Sequence, residues 1–256
     1  MRITQLIQTL LLIYASQFVI TPLVIYFYNK QSANPQFMSF DLANPPLRLP
    51  PSYLQSLPLL ESLGFQPVAH LFAGSLARNM RTVLTLYVNR VEREIVTVVH
   101  MLGEFPPVTR VLHTYTEFCT EFDDGHEMST SNSSQAGLFV RVPEKQLFRI
   151  PHLTNLQQLY EVHRALTGQR LGVNKRLALP GYEVAELIEG MKLDLAREAA
   201  FGRMALDASG EWYRPTMRGA INSTLMFIWP VGTLRRKLQR SRGVRLAAEV
   251  LGNRSL

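Results

Sequence analysis

The chain has 256 residues, 46% of them hydrophobic and 18% charged, and its 27 Lys and Arg against 20 Asp and Glu give a formal charge of +7. That composition is too apolar for a disordered protein, and the length suffices for one domain with a core of its own. Cys119 is the only cysteine, which excludes an intrachain disulfide and any Cys-based zinc site.

No charged side chain occurs from Ile3 to Asn29, and Leu6 to Tyr28 forms an apolar run of 23 residues. As a helix it extends about 35 Å at roughly 1.5 Å per residue, enough to cross a hydrocarbon core of about 30 Å. A cleaved signal peptide has a shorter apolar core, about 7–15 residues, followed by small side chains. This run ends instead in Tyr26, Phe27, Tyr28, Asn29 and Lys30, aromatic rings and a snorkelling cation suited to a membrane interface. Residues 1–30 are therefore expected to be an uncleaved transmembrane anchor, kinked near Pro22.

Six of the 15 prolines lie between Pro35 and Pro58, so residues 31–58 read as a semi-rigid linker. Residues 59–214 read as an α+β domain. Val83–Val88 and Ile95–His100 are rich in β-branched side chains around a short polar connector, which predicts a hairpin. Val111–Phe122 and His126–Ser131 flank Asp123-Asp124-Gly125, which predicts a second hairpin on a type I′ turn. Gly64–Phe72 and Leu138–Ile150 add candidate edge strands, for an antiparallel meander of about five or six strands. Helices follow. Thr154-Asn155-Leu156-Gln157 fits a capping box ahead of Leu156, Leu159, Tyr160, His163 and Leu166 on one face. Pro180-Gly181 opens a longer helix with Val184, Leu187, Ile188, Met191 and Leu195 inward and Glu183, Glu186, Lys192 and Arg197 on the wet side. Strands followed by helices predict α+β, with the helices covering one face of the sheet.

The charge is concentrated in residues 215–256. Eight cations there (Arg218, Arg235, Arg236, Lys237, Arg240, Arg242, Arg245, Arg254) face Glu249 alone, while residues 3–214 hold 18 Lys and Arg against 19 Asp and Glu. Just before the cluster, Gly219–Leu234 is 16 residues without charge, about 24 Å of helix at roughly 1.5 Å per residue and short for a span. It reads as a helix lying in the membrane interface, with Trp229 in the apolar layer and Arg235, Arg236, Lys237, Arg240, Arg242 and Arg245 beside anionic headgroups. A buried helix of the domain and a short second span are the alternatives. With the basic segment drawn to the cytoplasmic leaflet, the domain is expected on the cytoplasmic side. The cluster lacks interleaved aromatics and any DNA-binding module, so membrane lipid is the expected partner rather than nucleic acid.

Chemistry is weakly signalled. No phosphate-binding loop, dinucleotide fingerprint, nucleophile elbow or metal-ligand spacing appears, so no cofactor and no metal are expected. Asp123, Asp124, His126 and Glu127 cluster at a turn that needs Asp and Gly in any case. Along the third long strand, alternation sets Phe118 and Phe122 on one face and Tyr115, Glu117, Cys119 and Glu121 on the other. Those carboxylates and the thiol, with His113 or His126 as base, are the candidate catalytic group should the protein be an enzyme. Asn132, Asn222 and Asn253 match the glycosylation pattern only weakly. The preferred reading is a non-enzymatic interaction or scaffolding module held at the bilayer; the alternative is a membrane-associated enzyme.

Overall fold

A computed structural model describes residues 3–105, 108–134, 142–170 and 172–252. Helix α1 (Ile3–Tyr28) runs unbroken through Pro22, and it is long and apolar enough to cross a membrane. It leads into β1 (Gln31–Ser32), which pairs with β11 (Trp212–Pro215); β11 in turn pairs with β10 (Met204–Leu206), making a small antiparallel sheet.

The large sheet follows chain order. Strands β2 (Met38–Ser39), β3 (Gln66–Ala73), β4 (Met80–Asn89), β5 (Glu94–Phe105), β6 (Val108–Phe122) and β7 (Glu127–Ser131) pair antiparallel, each with the next. Then the pattern changes. Strand β8 (Lys145–Arg149) joins β7 in parallel, and the short β9 (Lys175–Arg176) pairs with the end of β6. The fold is thus α+β with an antiparallel-dominated sheet, larger than the expected meander and closed by one parallel pair. Residues 138–141 of the expected last strand, and Asn253 with its glycosylation pattern, lie outside the described residues.

Both long hairpins form, the second on a different turn from the one expected. A type I′ turn at Asp124-Gly125 needs positive φ at both residues, and only Gly125 has it, at 80°. The turn starts one residue earlier: the Phe122 carbonyl accepts from the Gly125 amide at 2.9 Å, and Gly125 supplies the left-handed step that returns the chain to the ladder. The β4–β5 connector repeats the device. Asn89 Oδ1 accepts from the amides of Val91 (3.1 Å) and Glu92 (3.0 Å), and Arg93 takes φ 56°.

Helices cover both faces of the sheet, not one. On the first face α2 (Pro51–Ser62), α3 (Leu156–Thr167) and the end of α6 (Val231–Leu251) pack over Val83, Tyr87, Val96, Val98, Phe118 and Phe122. On the second, Val184 and Leu187 of α4 (Glu183–Ala200) pack over Leu71, Leu84, Leu86 and Val99. This explains β4, where every residue from Thr82 to Asn89 is buried and the apolar run does not alternate.

Residues 31–58 are not a free spacer. They supply β1 and β2 to the two sheets, and Leu49, Tyr53 and Leu57 enter the main core. Pro50 and Pro51 sit at the helix start, where the missing amide costs nothing. Helix α3 is capped one residue later than expected: Asn155, not Thr154, accepts from the amides of Gln157 and Gln158. Glu183, expected on the wet side, is buried at the start of α4, where it accepts from the Gly181 amide at 2.7 Å and pairs with Arg90 at 2.5 Å.

Candidate functional site

Two regions hold the residues singled out by sequence. The first is the second face of the sheet. Tyr115, Glu117, Cys119 and Glu121 do share it, since they alternate along β6 with the core residues Phe118 and Phe122. Strand register sets Ser131 beside Glu117, Ser129 beside Cys119 and Glu127 beside Glu121, and β8 brings Lys145 next to Glu127. Helix α4 lies across this face and closes it with charge. Lys145 Nζ is 3.0 Å from both Glu127 Oε2 and Asp194 Oδ1, and Arg176 reaches Glu186 at 3.1 Å and Glu121 at 3.6 Å.

The acid–base state of the group follows from that cover. Burial pushes the Glu117 carboxyl up to about 7, against the pull of Arg149, with Glu127 adding to the rise. Burial also drives the Cys119 thiol well above its ordinary value, and the Glu127 charge reinforces it. A thiol so protonated is a poor nucleophile. The two candidate bases do not join it. His113 stacks on Tyr115 at 5.2 Å and shares a 2.8 Å hydrogen bond with Ser133, six positions from Cys119, about 20 Å along a strand at roughly 3.3 Å per residue. His126 sits at the hairpin tip, 3.2 Å from Asp124, whose other oxygen pairs with Arg170 at 2.5 Å. The acidic tip is therefore neutralised by the protein's own cations.

Glu117 has a measurable consequence. Its folded value lies above the ordinary carboxylate value, so its contribution to stability is complete at acid pH and is lost as pH rises through about 7. A Glu117→Gln variant is expected to gain stability relative to the native chain as pH goes from 5 to 8. Urea midpoints at the two pH values measure this, and equal differences at both would show that Glu117 ionises as freely as in water.

The second region comprises the apolar helices. Helix α5 (Met217–Phe227) runs back along α1, starting near α1's domain end and finishing beside its middle. Tyr14 donates its hydroxyl to the Trp229 carbonyl at 2.7 Å, and the two rings meet edge to face at 5.8 Å. Tyr14, Thr21, Pro22 and Ile25 are among the less exposed positions of α1 and recur at helical spacing. On α5 the buried Ala220 and Thr224 are small and one turn apart, which allows close backbone approach. Gly219 touches the loop after α4: a Cβ there would lie 1.9 Å from the Arg203 carbonyl oxygen.

Residues 219–234 are therefore not one helix lying flat. Helix α5 stops at Phe227, the chain turns through Ile228 to Pro230, and α6 begins at Val231 and returns to the domain. Its end is part of the core. Ala247 is fully buried, Leu246, Val250 and Leu251 pack beside it, and Gly243 lies so close to β8 that a Cβ would meet the Arg149 carbonyl oxygen at 2.9 Å. Trp229 is 64% exposed at the turn; Arg236, Lys237, Arg240, Arg242 and Arg245 are exposed along α6, and Arg235 is half-buried. At roughly 100° per residue, Arg235, Arg242 and Arg245 fall on one flank of the packed face and Arg236, Lys237 and Arg240 on the other. The cations are thus two rows, not one stripe. Burial and the nearby Arg240 charge hold the His152 imidazole below its ordinary pKa, so this helix also bears on the domain electrostatically.

Where α1 enters the domain, Lys30 lies over the Trp212 ring at 3.7 Å and Arg78 over Tyr28 at 5.6 Å. Sequence reasoning missed what stands beside this girdle. A cavity of about 530 Å³ is lined by Arg203, Arg218, Ile221, Asn222 and Leu225, and a narrow cleft sharing Arg203 and Asn222 runs on to Asn29 and Gln31. Only the spacing of Arg218, Asn222 and Leu225, one per turn of α5, signalled it in advance. Comparison with known proteins gives no match to this chain: no family model, no curated protein and no solved structure.

Proposed function

We propose that this chain is a membrane-anchored α+β module with a non-enzymatic role, an interaction or scaffolding domain held against the bilayer at two places. Helix α1 crosses the membrane. Helix α5, the turn at Trp229 and the first turn of α6 dip into the hydrocarbon beside it as a helical hairpin, and Arg240, Arg242 and Arg245 further along α6 meet anionic headgroups. The observation that carries this reading is the unpaired apolar surface. Leu12 is 73% exposed, Val19 62% and Phe27 61% on α1, and Ile221, Leu225, Phe227 and Trp229 are exposed on the hairpin. Water solvates such a continuous surface poorly, at a cost of about 25 cal/mol for each Å².

Depth supports a dip rather than a crossing. Tyr14 stands fourteen residues from Tyr28, about 21 Å at roughly 1.5 Å per residue, so the Trp229 turn bonded to it lies well inside the lipid. Helix α6 then climbs back to the domain, which brings Arg240 and Arg242 toward the headgroups. Each cation at an anionic surface contributes about 1 kcal/mol, and the cytoplasmic leaflet is the anionic one. On this reading the domain and α6 are cytoplasmic, and the start of α1 lies across the membrane. The enzyme alternative loses support, because burial keeps the Cys119 thiol protonated and neither His113 nor His126 stands beside it: His113 bonds Ser133 and His126 pairs with Asp124 at the hairpin tip.

The expected result is that the full chain, with residues 3–28 retained, stays with membranes through an alkaline carbonate wash and is released by detergent alone. Topology reporters inserted near residue 40 and after residue 256 should report the same side. Release by carbonate would end the transmembrane reading, and reporters on opposite sides would end the hairpin reading.

A further inference from the structure

The cavity beside α5 is ordered like an amphiphile. Arg218, then Ile221 and Asn222, then Leu225 occupy successive turns of one face of α5, descending from the domain toward the lipid. Arg203 joins from the loop after α4 and completes the upper end with a second guanidinium. From top to bottom the wall therefore presents cations, an amide and alkyl side chains within about 10 Å, seven residues at roughly 1.5 Å each.

The upper groups are held in place without being used up. Arg218 donates through Nη1 to the Phe201 carbonyl at 3.1 Å, where α4 ends. Arg203 Nη1 stands 4.0 Å from Glu198 Oε2, and the residues lining the cavity and its cleft carry two guanidiniums against the Glu198 carboxylate alone. Each guanidinium carries five N–H donors, so most remain available, and one positive charge is in excess. The Asn222 amide has no hydrogen-bond partner among the described residues and lies half-buried on a helix that faces lipid. A polar amide and a surplus cation at the edge of hydrocarbon call for an anionic, hydrogen-bonding occupant.

We propose that this cavity seats one anionic glycerophospholipid: its phosphate lies between Arg203 and Arg218, its glycerol ester carbonyl accepts from Asn222, and one acyl chain runs down Ile221 and Leu225. A soluble phosphate compound would match the arginines and leave the apolar wall bare. An uncharged lipid would match the wall and leave the surplus charge. Only an amphiphile with a negative head satisfies both. The space, about 530 Å³, is an open groove on the outer side of α5, so surrounding bilayer lipid would complete its enclosure. The site is distinct from the basic rows of α6, and it rests on the reading that α1 crosses the bilayer.

The test uses the full chain in nanodiscs of dioleoylphosphatidylcholine with a minor share of dioleoylphosphatidylglycerol, which has the same tails and a negative head. Native mass spectrometry counts the lipids that remain bound after release. The native chain should retain one phosphatidylglycerol in about tenfold preference over phosphatidylcholine. An Arg203→Gln/Arg218→Gln variant should fall to parity, and an Arg236→Gln/Lys237→Gln variant should keep the preference. Should the double arginine variant lose its near-ultraviolet circular dichroism, Ile221→Trp decides: it fills the groove, keeps both charges and should also lose the lipid. A native preference undiminished in either cavity variant, or no preference in the native chain, overturns the proposal. The carbonate wash run on the same proteins separates the two levels, since release there would strike the membrane reading itself.

Discussion

A His163→Leu variant should lose its stability deficit as the medium is acidified. His163 is fully buried in α3, with Nε2 2.9 Å from Thr120 Oγ1 and Nδ1 3.1 Å from Thr130 Oγ1, so one imidazole ties the α3 side of the core to β6 and β7. Burial, helped by the charge of Lys175, lowers its pKa to about 3 from an ordinary 6.5. The unfolded chain therefore takes up a proton first. Stability from this residue is fully present above pH 6.5 and drains away as pH falls toward 3, by about 1.4 kcal/mol per pH unit. At pH 7 the leucine variant should be less stable by about 2 kcal/mol, because two threonine hydroxyls lose their partner. Near pH 5 the two proteins should be about equal. Urea midpoints of the full chain in mild detergent at pH 7.5, 6 and 5 measure the convergence. A constant gap across that range would mean that the imidazole takes up its proton as readily in the fold as in the unfolded chain.

Ending the chain after Arg242 should be still more damaging. It removes the part of α6 that closes the core, namely Ala247 with Leu246, Val250 and Leu251 around it. Large aliphatic side chains contribute about 1.5–3 kcal/mol each when fully buried, so these partly buried ones together supply roughly 4 kcal/mol. That approaches the entire margin of about 5–15 kcal/mol for a domain. The shortened protein should lack cooperative unfolding and bind a hydrophobic dye. Gly243→Val should act in the same direction through a single contact, by forcing α6 away from the Arg149 carbonyl. If the shortened chain unfolded with the native midpoint, residues 243–251 would be a mere appendage.

How far the sequence announced this architecture differs from element to element. The β4–β5 hairpin was legible because β-branched runs flank a short polar connector, and α3 and α4 because their apolar residues recur at helical spacing. The parallel β7–β8 pair was not, since parallel pairing depends on a crossover and not on either strand's own pattern. The unalternating run Val83–Val88 carried a hint of two-sided burial that only the placement of α4 makes plain. In α6, Leu246, Ala247, Val250 and Leu251 do form a helical face, but the density of arginine before them made the segment read as a basic tail beside lipid headgroups and not as a part of the core. The prolines misled in the other direction: Pro50 and Pro51 start a helix that enters the core. At the candidate site, alternation along β6 placed Glu117, Cys119 and Glu121 together correctly. Helix α4, which begins about sixty residues further along and lies across this face, left no local trace there.

The return of α6 to the core also fixes an order of events during synthesis. Strands β2 to β8 and helices α2 and α3 are all made before the segment that caps them, and α5 with the Trp229 turn must come first. The globular part accordingly waits, with one flank uncovered, until the chain has gone down beside α1 and come up again. On the proposed membrane-anchored reading, insertion and maturation are linked in sequence: a ribosome product whose hairpin had missed the lipid would have no well-placed α6 to complete it, and quality control would meet it as an open, sticky intermediate.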